Sequence, residues 1–488
     1  MLFWDKIRGW LGKQAGVNNK DGLSDPAAFD LRRLEREIAA WLGSPERVWQ
    51  LKGHLYYAGE QDILHRRRTA IGEGGELQPV ANLPNNRVID NQYAKLVNQK
   101  ANYLLGQPFV IESENRHYAD LLRQVLDKRF MRTLKNAGKA ALNGGMAWLY
   151  PGYDQEGKLV FRLFPAYEVL PFWADGERSA LQCAVRLYQV WYWEGGRRVL
   201  RDRVEVYSRQ GVRQYLWQGG ALKMLGEPEP YVQSGGQACN WERIPLIPLK
   251  YNETETPLLR RVKSLQDGLN AMLSDFENNM QEDARNTILV IKNYDGQNLG
   301  EFRRNLATYG AIKVRYDEDT KGGVETLEIN VNAGNYQVIL ELLKKALIEN
   351  GLGFDAKDDR LSGNPNQMNI QSMYSDIDLD ANDMETELQA AFADILWFVN
   401  CHLANTGQGD FFGEDVNIIF NRDMLMDESS IIANCRQSVG ILSDETIISQ
   451  HPWIDDVQQE LERLAKQRQA EQAEEYAPFG EDKLNADK

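Results

Sequence analysis

The sequence predicts an α+β protein, on three observations. Long blocks on both sides of the chain's middle place apolar residues at helical spacing. Between them, residues 147–249 hold short β-rich runs separated by turn glycines. Further on, a small strand-bearing stretch is enclosed by two helical blocks. Strands and helices grouped in runs, rather than alternating, mark this class.

Residues 1–17 carry an amphipathic pattern, with Phe3, Trp4, Ile7, Trp10 and Leu11 on one side. It suits a membrane-surface or partner-docking helix, or a terminal helix packed on its own domain. Asp25-Pro26 opens a charged helix running through Leu42, the proline sitting near the first turn as helix starts allow. Arg66, Arg67 and Arg68 form a small basic cluster, read as a solvated helix end in preference to a DNA contact. From Asn85 to Pro108, Ile89, Tyr93, Leu96, Val97 and Leu104 recur at helical spacing; Gly106 is placed to end the helix and Pro108 prevents its resumption. Residues 109–113 read as a strand. Helices are expected over 117–128 and 132–143, ending at Gly144-Gly145.

The runs at 147–153, 158–165, 184–193, 203–209 and 213–218 make a largely antiparallel β region, with Gly195-Gly196 and Gly219-Gly220 as turn signals. Ile244 to Pro248 ends it, and two prolines suit an edge or an exit better than a central strand.

From Pro257 to Asp283, Leu258, Val262, Leu265, Leu269, Met272, Phe276 and Met280 form a seam one helix face wide. A strand over 287–293, a short helix near 298–308 and strands over 311–316 and 325–331 follow, with Thr320-Lys321-Gly322-Gly323 as a hairpin turn. Asn335 to Asn350 is helical, with Val338, Leu342, Ala346 and Leu347 inward and Gly351 ending it. Two helices around a small insert can form an antiparallel stalk with a compact tip, or belong to an ordinary α/β domain. Residues 351–367 read as a long loop, and long loops are often functional. A long helix follows over 368–403, with Met373, Ile377, Met384, Leu388, Phe392, Ile395 and Val399 on one face and Asp376, Asp380, Asp383 and Glu387 on an adjacent stripe. Residues 415–421 are a last strand. Residues 438–448 and 457–476 are helical, the latter polar enough to fray into a disordered end.

The chain has 488 residues, with 56 Lys plus Arg against 71 Asp plus Glu, a net charge of −15. That argues against gripping nucleic acid with the whole surface, because phosphate binding needs cations in excess. Residues 353–394 hold ten acids and two bases, a net −8. No run of about 18 apolar residues suggests a membrane-spanning helix. Asp5, Lys6 and Arg8 interrupt the place where a signal peptide would be apolar. Cys183, Cys239, Cys401 and Cys435 are scattered, without a CxxC pair, so neither a disulfide framework nor a zinc site is indicated. The cytoplasm is the default compartment.

The search for chemistry finds no phosphate loop, dinucleotide fingerprint, HExxH or GxSxG elbow. The five histidines are isolated, and Cys401 and His402 are neighbours that point apart on a helix. Asp376 to Glu387 places acids at positions 1, 3, 5 and 12 of a calcium-loop count, yet Ala381 stands where the sharp turn needs Gly, and the helical spacing runs straight through. A two-metal nuclease would need the fold to gather Asp355, Asp358 and Asp359 with Asp317, Glu318 and Asp319. No catalytic residue, metal site or cofactor is therefore expected, and the chain reads as a non-enzyme.

Six segments in order carry a family resemblance: 85–108; 144–173, ending in FPAYEVLPFW; 243–255; 269–296; 414–432; and 438–456. Over about residues 30–460 the chain resembles the portal proteins of tailed bacteriophages and prophages, in the branch typical of long-tailed siphophages. The resemblance implies a portal fold with a mixed α/β wing, two-helix stem, small α/β clip, long kinked helix and helical crown. It places an N-terminal arm at 1–29, the wing at 30–256, stem helices at 257–285 and 333–351 and the clip at 286–332. It places the tunnel loop at 352–367, the long helix at 368–403, a wing return strand at 404–426, the crown at 427–476 and a disordered tail at 477–488.

The implied function is a head-to-tail connector in the virion. It is a homo-oligomeric ring of about twelve subunits at one capsid vertex, assembled in the host cytoplasm. Double-stranded DNA enters through it, without sequence specificity, and leaves by the same channel. Implied partners are the terminase large subunit, the scaffolding and major capsid proteins, and head-completion or adaptor proteins; no membrane is involved. Implied site residues are Asp355, Lys357, Asp358, Asp359 and Arg360 in the tunnel loop. Asp376, Asp380, Asp383 and Glu387 lie on a channel-side helix, and Lys313, Arg315, Asp317, Glu318, Asp319 and Lys321 serve clip docking. A different oligomeric tail or baseplate protein and a metal-dependent nuclease are the alternatives. Acidic channel walls would give no counterion release and so little DNA affinity, with Lys357 and Arg360 touching the backbone transiently. Repeated around a ring, that charge also implies assembly that depends on salt or divalent cations.

Overall fold

A computed structural model describes residues 31–71, 76–79, 83–176, 178, 180–234, 237–283, 288–292, 316–317, 320–321, 323–327, 333–355, 367–422, 428–454 and 457–475. The expected N-terminal amphipathic helix, the helix near 298–308 and the tail at 477–488 lie outside the described residues. The chain forms two compact units, Met1–Gly353 with Leu379–Arg422, and Phe354–Asp378 with Asp423–Lys488.

In the first unit, α1 (Leu31–Leu42) and α2 (Pro45–Ala58) are separated by Ser44, whose side chain caps α2 by accepting from the Arg47 N–H at 3.2 Å, with Pro45 in the first turn. A short 3₁₀ turn (Asp62–His65) precedes the arginine cluster, and β1 (Thr69–Ile71) pairs with β2 (Leu77–Pro79). The cluster behaves as a structural end: Arg66 pairs with Asp275 at 3.0 Å and Arg68 donates to the Pro84 carbonyl at 2.9 Å.

The helix expected from Asn85 begins only at α3 (Gln92–Leu105), capped by Asn91. It is followed by β3 (Val110–Glu112), α4 (Arg116–Val125) and α5 (Lys128–Gly144), both helices shifted a few residues from their expected bounds. Asp127 explains the early start of α5, since its carboxylate accepts from Arg129 and Phe130 N–H at 2.9 and 3.0 Å.

The β region is antiparallel throughout. Strands β4 (Met146–Tyr153), β5 (Leu159–Pro165) and β13 (Ile247–Lys250) form a sheet in the order β13-β4-β5. Pro248 sits in edge strand β13, as the two prolines suggest. Strands β6 (Val169–Trp173), β7 (Leu181–Glu194), β8 (Arg197–Ser208), β9 (Gly211–Gln218) and β10 (Ala221–Met224) form a meander in sequence order. Gly195 and Gly196 join its longest hairpin with φ of 56° and 77°, the pair of left-handed residues that a two-residue turn needs. A small hairpin, β11 (Val232–Ser234) with β12 (Gln237–Cys239), follows the meander.

Helix α6 (Leu259–Asp283) leads to β14 (Ile288–Lys292), β15 (Tyr316–Asp317), β16 (Thr320–Lys321) and β17 (Gly323–Leu327); α7 (Ala333–Asn350) returns. β14 pairs with β17 and β15 with β16. Thr320 and Lys321 are thus strand residues, paired with Asp317 and Tyr316, and not part of the turn expected there. Helix α8 (Gln367–Asn405) matches its expected span, and its portion from Leu379 belongs to this unit. Met384, Leu388, Phe392, Ile395 and Val399 are buried in one core with Leu96, Leu122, Phe130 and Leu134. β18 (Asn417–Ile419) pairs with β3, some three hundred residues earlier.

In the second unit, Phe354 stacks on Tyr374 with ring centroids 4.3 Å apart. Of the helix expected at 438–448 only the second half forms, as α10 (Asp444–Ser449), because Ser443 caps its start by accepting from the Thr446 N–H at 3.3 Å; a separate helix, α9 (Glu428–Gln437), precedes it. The last helix, α11 (Val457–Glu475), is tied to α10 by an Arg468–Asp444 pair at 2.8 Å.

Candidate functional site

The first unit buries an unusual amount of polar chemistry where α3, α6, α7 and α8 meet. On α6, Gln266, Asn270 and Ser274 are wholly buried and Asn278 is 3% exposed. They recur every four residues, so they form one line along the helix. Each accepts a backbone N–H from the segment that leads into α3 or from the first turn of α3. Asn86 donates to Asn278 at 2.7 Å, Val88 to Ser274 at 3.0 Å, Asp90 to Asn270 at 3.1 Å and Tyr93 to Gln266 at 3.0 Å.

The register has a simple cause. Four helical residues rise about 6 Å and two extended residues about 6.6 Å. Alternate N–H groups of an extended chain running antiparallel to the helix therefore meet successive fourth residues. Residues 85–91 stay out of the helix because this ladder satisfies backbone groups that burial would otherwise orphan. Gln266 completes it by donating to the Asp90 carbonyl at 2.8 Å, and Lys344 of α7 pairs with the Asp90 carboxylate at 2.8 Å.

The charged counterpart centres on Asp380. Its carboxylate accepts from Lys100 at 2.7 Å, from Arg261 at 3.0 Å and from the Tyr251 phenol at 2.8 and 2.9 Å. Asp380 and Lys100 are each 4% exposed. Burial, and then the Asp380 charge, push the Tyr251 phenol well above its ordinary range, so it remains a donor. Lys100 also donates to the Leu352 carbonyl at 2.8 Å. Leu352 holds φ of +50°, a left-handed conformation that costs a branched side chain energy. The turn is pressed against α3: a Cβ on Gly351 or Gly353 would stand 2.3 or 2.4 Å from a Leu96 methyl.

The cluster corrects the reading of Asp380 as a channel-side acid, since it is an internal ion-pair partner joining three helices. Asp376 and Asp383 are exposed and Glu387 half-buried, so the expected stripe divides. The acidic segment as a whole is also less bare than its net −8 suggests. Besides Asp380, Asp394 pairs with Arg243 at 2.9 Å and Glu385 with Arg422. Asp355 is half-buried; Lys357, Asp358, Asp359 and Arg360 lie outside the described residues. Of the docking residues, Asp317 and Lys321 stand on the β15–β16 ladder, opposite Thr320 and Tyr316. Lys313, Arg315, Glu318 and Asp319 lie outside the described residues.

A signal for the cluster existed in the sequence. Asp380 lies three residues after Ile377 and four before Met384, on the apolar face itself, and Lys100 stands four before Leu104 in the same way. Cys401 and His402 are no nucleophile pair: burial raises the thiol to about 11, and His402 Nδ1 meets the Tyr153 hydroxyl at 3.2 Å. Among the described residues, no three His, Cys, Asp or Glu side chains converge as a metal site would require.

A second correction concerns α7. Val338 and Leu342, expected inward, are 56% and 61% exposed, while Leu347 is fully buried. Met280 of α6 and Ile339 of α7 are exposed as well. The two helices meet through Phe276 and Tyr336, 5.0 Å apart, with Asn279 donating to the Tyr336 hydroxyl at 3.0 Å.

The family model described as phage portal protein, SPP1 Gp6-like, matches residues 47–474. The portal protein of Bacillus phage SPP1 is 30% identical over 459 residues, covering 92% of this chain and 88% of the relative. The portal protein of Clostridium phage phiCD119 is 25% identical over 448 residues, covering 89% and 95%. Among solved structures, the neck of a native GTA particle, computed with C12 symmetry, aligns over 73% of this chain and 87% of its own, at 12% identity and a TM-score of 0.37.

Proposed function

The chain belongs to the SPP1 Gp6-like family of phage portal proteins, and from that premise we propose that about twelve copies form a ring at one capsid vertex. Terminase drives double-stranded DNA in through its channel, and the DNA leaves by the same route. In this reading α6 and α7 are the stem, 286–332 the clip that docks the terminase large subunit and later the head-completion proteins, and 352–367 the tunnel loop. Residues 30–256 and 404–426 form the wing, 368–403 the long helix and 427–476 the crown. Scaffolding and major capsid proteins surround the ring.

One observation carries the reading beyond family membership. A pair of packed helices shows Met280, Val338, Ile339 and Leu342 to solvent. Clustered exposed apolar residues mark an interaction surface. In a closed ring the same head-to-tail contact repeats at every subunit, so one such face suffices to bury itself against a second copy. Asp376 and Asp383 remain available as channel acids, and Lys357 and Arg360 as transient phosphate contacts; Asp380 does not.

Electron microscopy of the purified protein tests the ring. Closed rings of about twelve subunits, with a hole wide enough for duplex DNA, are expected. Monomers or dimers that persist even with scaffold present would overturn the reading. Within it, Lys357→Ala with Arg360→Ala should change DNA packaging or retention while rings still form, and unchanged packaging and retention would remove those two residues from the proposal. Charge reversal at Lys313 and Arg315 should weaken terminase capture by intact rings.

A further inference from the structure

The face of the five-stranded sheet that α1 covers continues past α1 into an uncovered aromatic strip. On β7 the residues of this face are Val185, Leu187, Gln189, Trp191 and Trp193, since alternate residues share a side. Val185 and Leu187 are 0% and 7% exposed beneath Leu34 and Ile38 of α1. Trp191 and Trp193 are 52% and 77% exposed. Across the hairpin, Trp191 pairs with Leu200, itself 39% exposed, and Trp193 with Arg198, whose guanidinium lies 4.5 Å from the Trp191 ring. Two exposed tryptophans and a leucine on one side of a strand pair make an apolar surface that this sheet does not cover itself.

The position of α1 indicates what covers it. The Glu35 carboxylate, in the first turns of α1, accepts from the Leu222 N–H of edge strand β10 at 2.8 Å. At the other end, Arg47 donates both to the Leu42 carbonyl at 3.4 Å and to the carbonyl of Tyr167, two residues before β6, at 3.0 Å. The helix therefore crosses the sheet with its N-terminus at the β10 edge, on the same face as the tryptophans. Thirty residues precede Leu31, and their one apolar pattern is Phe3, Trp4, Ile7, Trp10 and Leu11. From Leu222 to Trp193 is three inter-strand steps and four residues along a strand, about 20 Å. The twenty residues between Trp10 and Leu31 can span up to about 70 Å.

We propose that residues 3–11 dock as an amphipathic helix on the Trp191–Trp193–Leu200 surface of their own chain. The apolar face of the segment then meets the apolar strip, extending the cover that α1 begins. The proposal is independent of the portal reading, because it concerns how one subunit completes its own sheet.

The test uses the full chain carrying Cys239→Ser, to remove the exposed native thiol. Ile7→Cys with Leu200→Cys should form a disulfide under mild oxidation. Ile7→Cys with Arg209→Cys, at the far end of β8, should not. Isotopically heavy and light chains mixed before assembly should give the crosslink only within like chains; a heavy–light crosslink would assign the surface to a second copy and overturn the proposal. Hydroxyl-radical labelling of Trp191 and Trp193 should rise several-fold on deletion of residues 1–17. It should rise equally in the full-length Trp4→Asp/Trp10→Asp variant, which keeps the chain intact. Labelling that is unchanged in both would likewise overturn it.

Discussion

The α6–α7 pair buries a polar line and displays apolar side chains. Gln266, Asn270, Ser274 and Asn278 face the interior of their own subunit, while Met280, with Val338, Ile339 and Leu342 of α7, faces outward. Each face matches its neighbour. The inward face meets an extended backbone whose N–H groups need acceptors, and apolar residues there would leave them unpaired. The outward face has no backbone to satisfy. Asp380 adds a third case, a buried charge, which is tolerable only because Lys100, Arg261 and Tyr251 all converge on it. Burial here thus follows the hydrogen-bonding demand of the opposing surface, and in the proposed ring the exposed apolar side chains are the ones left for another copy.

Breaking the charged contact should have the largest effect. Asp380→Ala leaves Lys100 buried without its carboxylate and should cost roughly 3–5 kcal/mol in urea unfolding. Replacing both, as Lys100→Met with Asp380→Met, should recover most of that loss. If the double variant is as unstable as the single one, the ion pair is not what holds the junction. The neutral ladder should be less costly at each rung. Asn270→Ala orphans the Asp90 N–H and should cost about 1–3 kcal/mol in the same measurement.

His54 sharpens the contrast from the opposite side, as a half-buried side chain whose buried Nε2 has no partner among the described residues. Burial lowers its pKa from 6.5 to about 4. The native state thus binds a proton less readily than the unfolded chain. Its contribution is present above pH 6.5 and is lost as pH falls toward 4. By pH 5.5 the unfolded chain has taken up most of its proton and the folded one almost none, so a loss of about 1 kcal/mol is expected there. His54→Gln should flatten this part of the stability–pH curve, and an unchanged slope would contradict the assignment.

The smallest effect on folding is expected on the outward face. Val338→Ser with Leu342→Ser should change subunit stability by no more than about 0.5 kcal/mol each, yet sedimentation should show loss of rings. Rings that form as before would remove this face from the assembly contact.

The sequence makes some of this legible and hides the rest for a definite reason. The antiparallel meander, its Gly195-Gly196 turn and the span of α8 follow from local chemistry, which period and turn residues report directly. The boundaries of α5 and α10 depend on single caps, Asp127 and Ser443, easily passed over beside an apolar pattern. Periodicity misses the inward polar face of α6 because it reports apolar residues. The residues that bury there are amides and a hydroxyl whose partners lie 173 to 192 positions earlier. The burial of Asp380 is legible, since it interrupts the apolar line between Ile377 and Met384. Grouping it with Asp376 and Asp383 as one solvated stripe conceals that. The outward turn of Val338 and Leu342 cannot be read at all from a pattern that scores apolar residues as interior.

A cryo-electron map of the assembled protein at side-chain resolution tests the central claim most directly. The expected result is a ring in which Met280, Val338, Ile339 and Leu342 lie against the adjacent subunit, with Asp380 enclosed within its own. A ring whose channel is lined by Asp380, with those four side chains in solvent, would contradict the account.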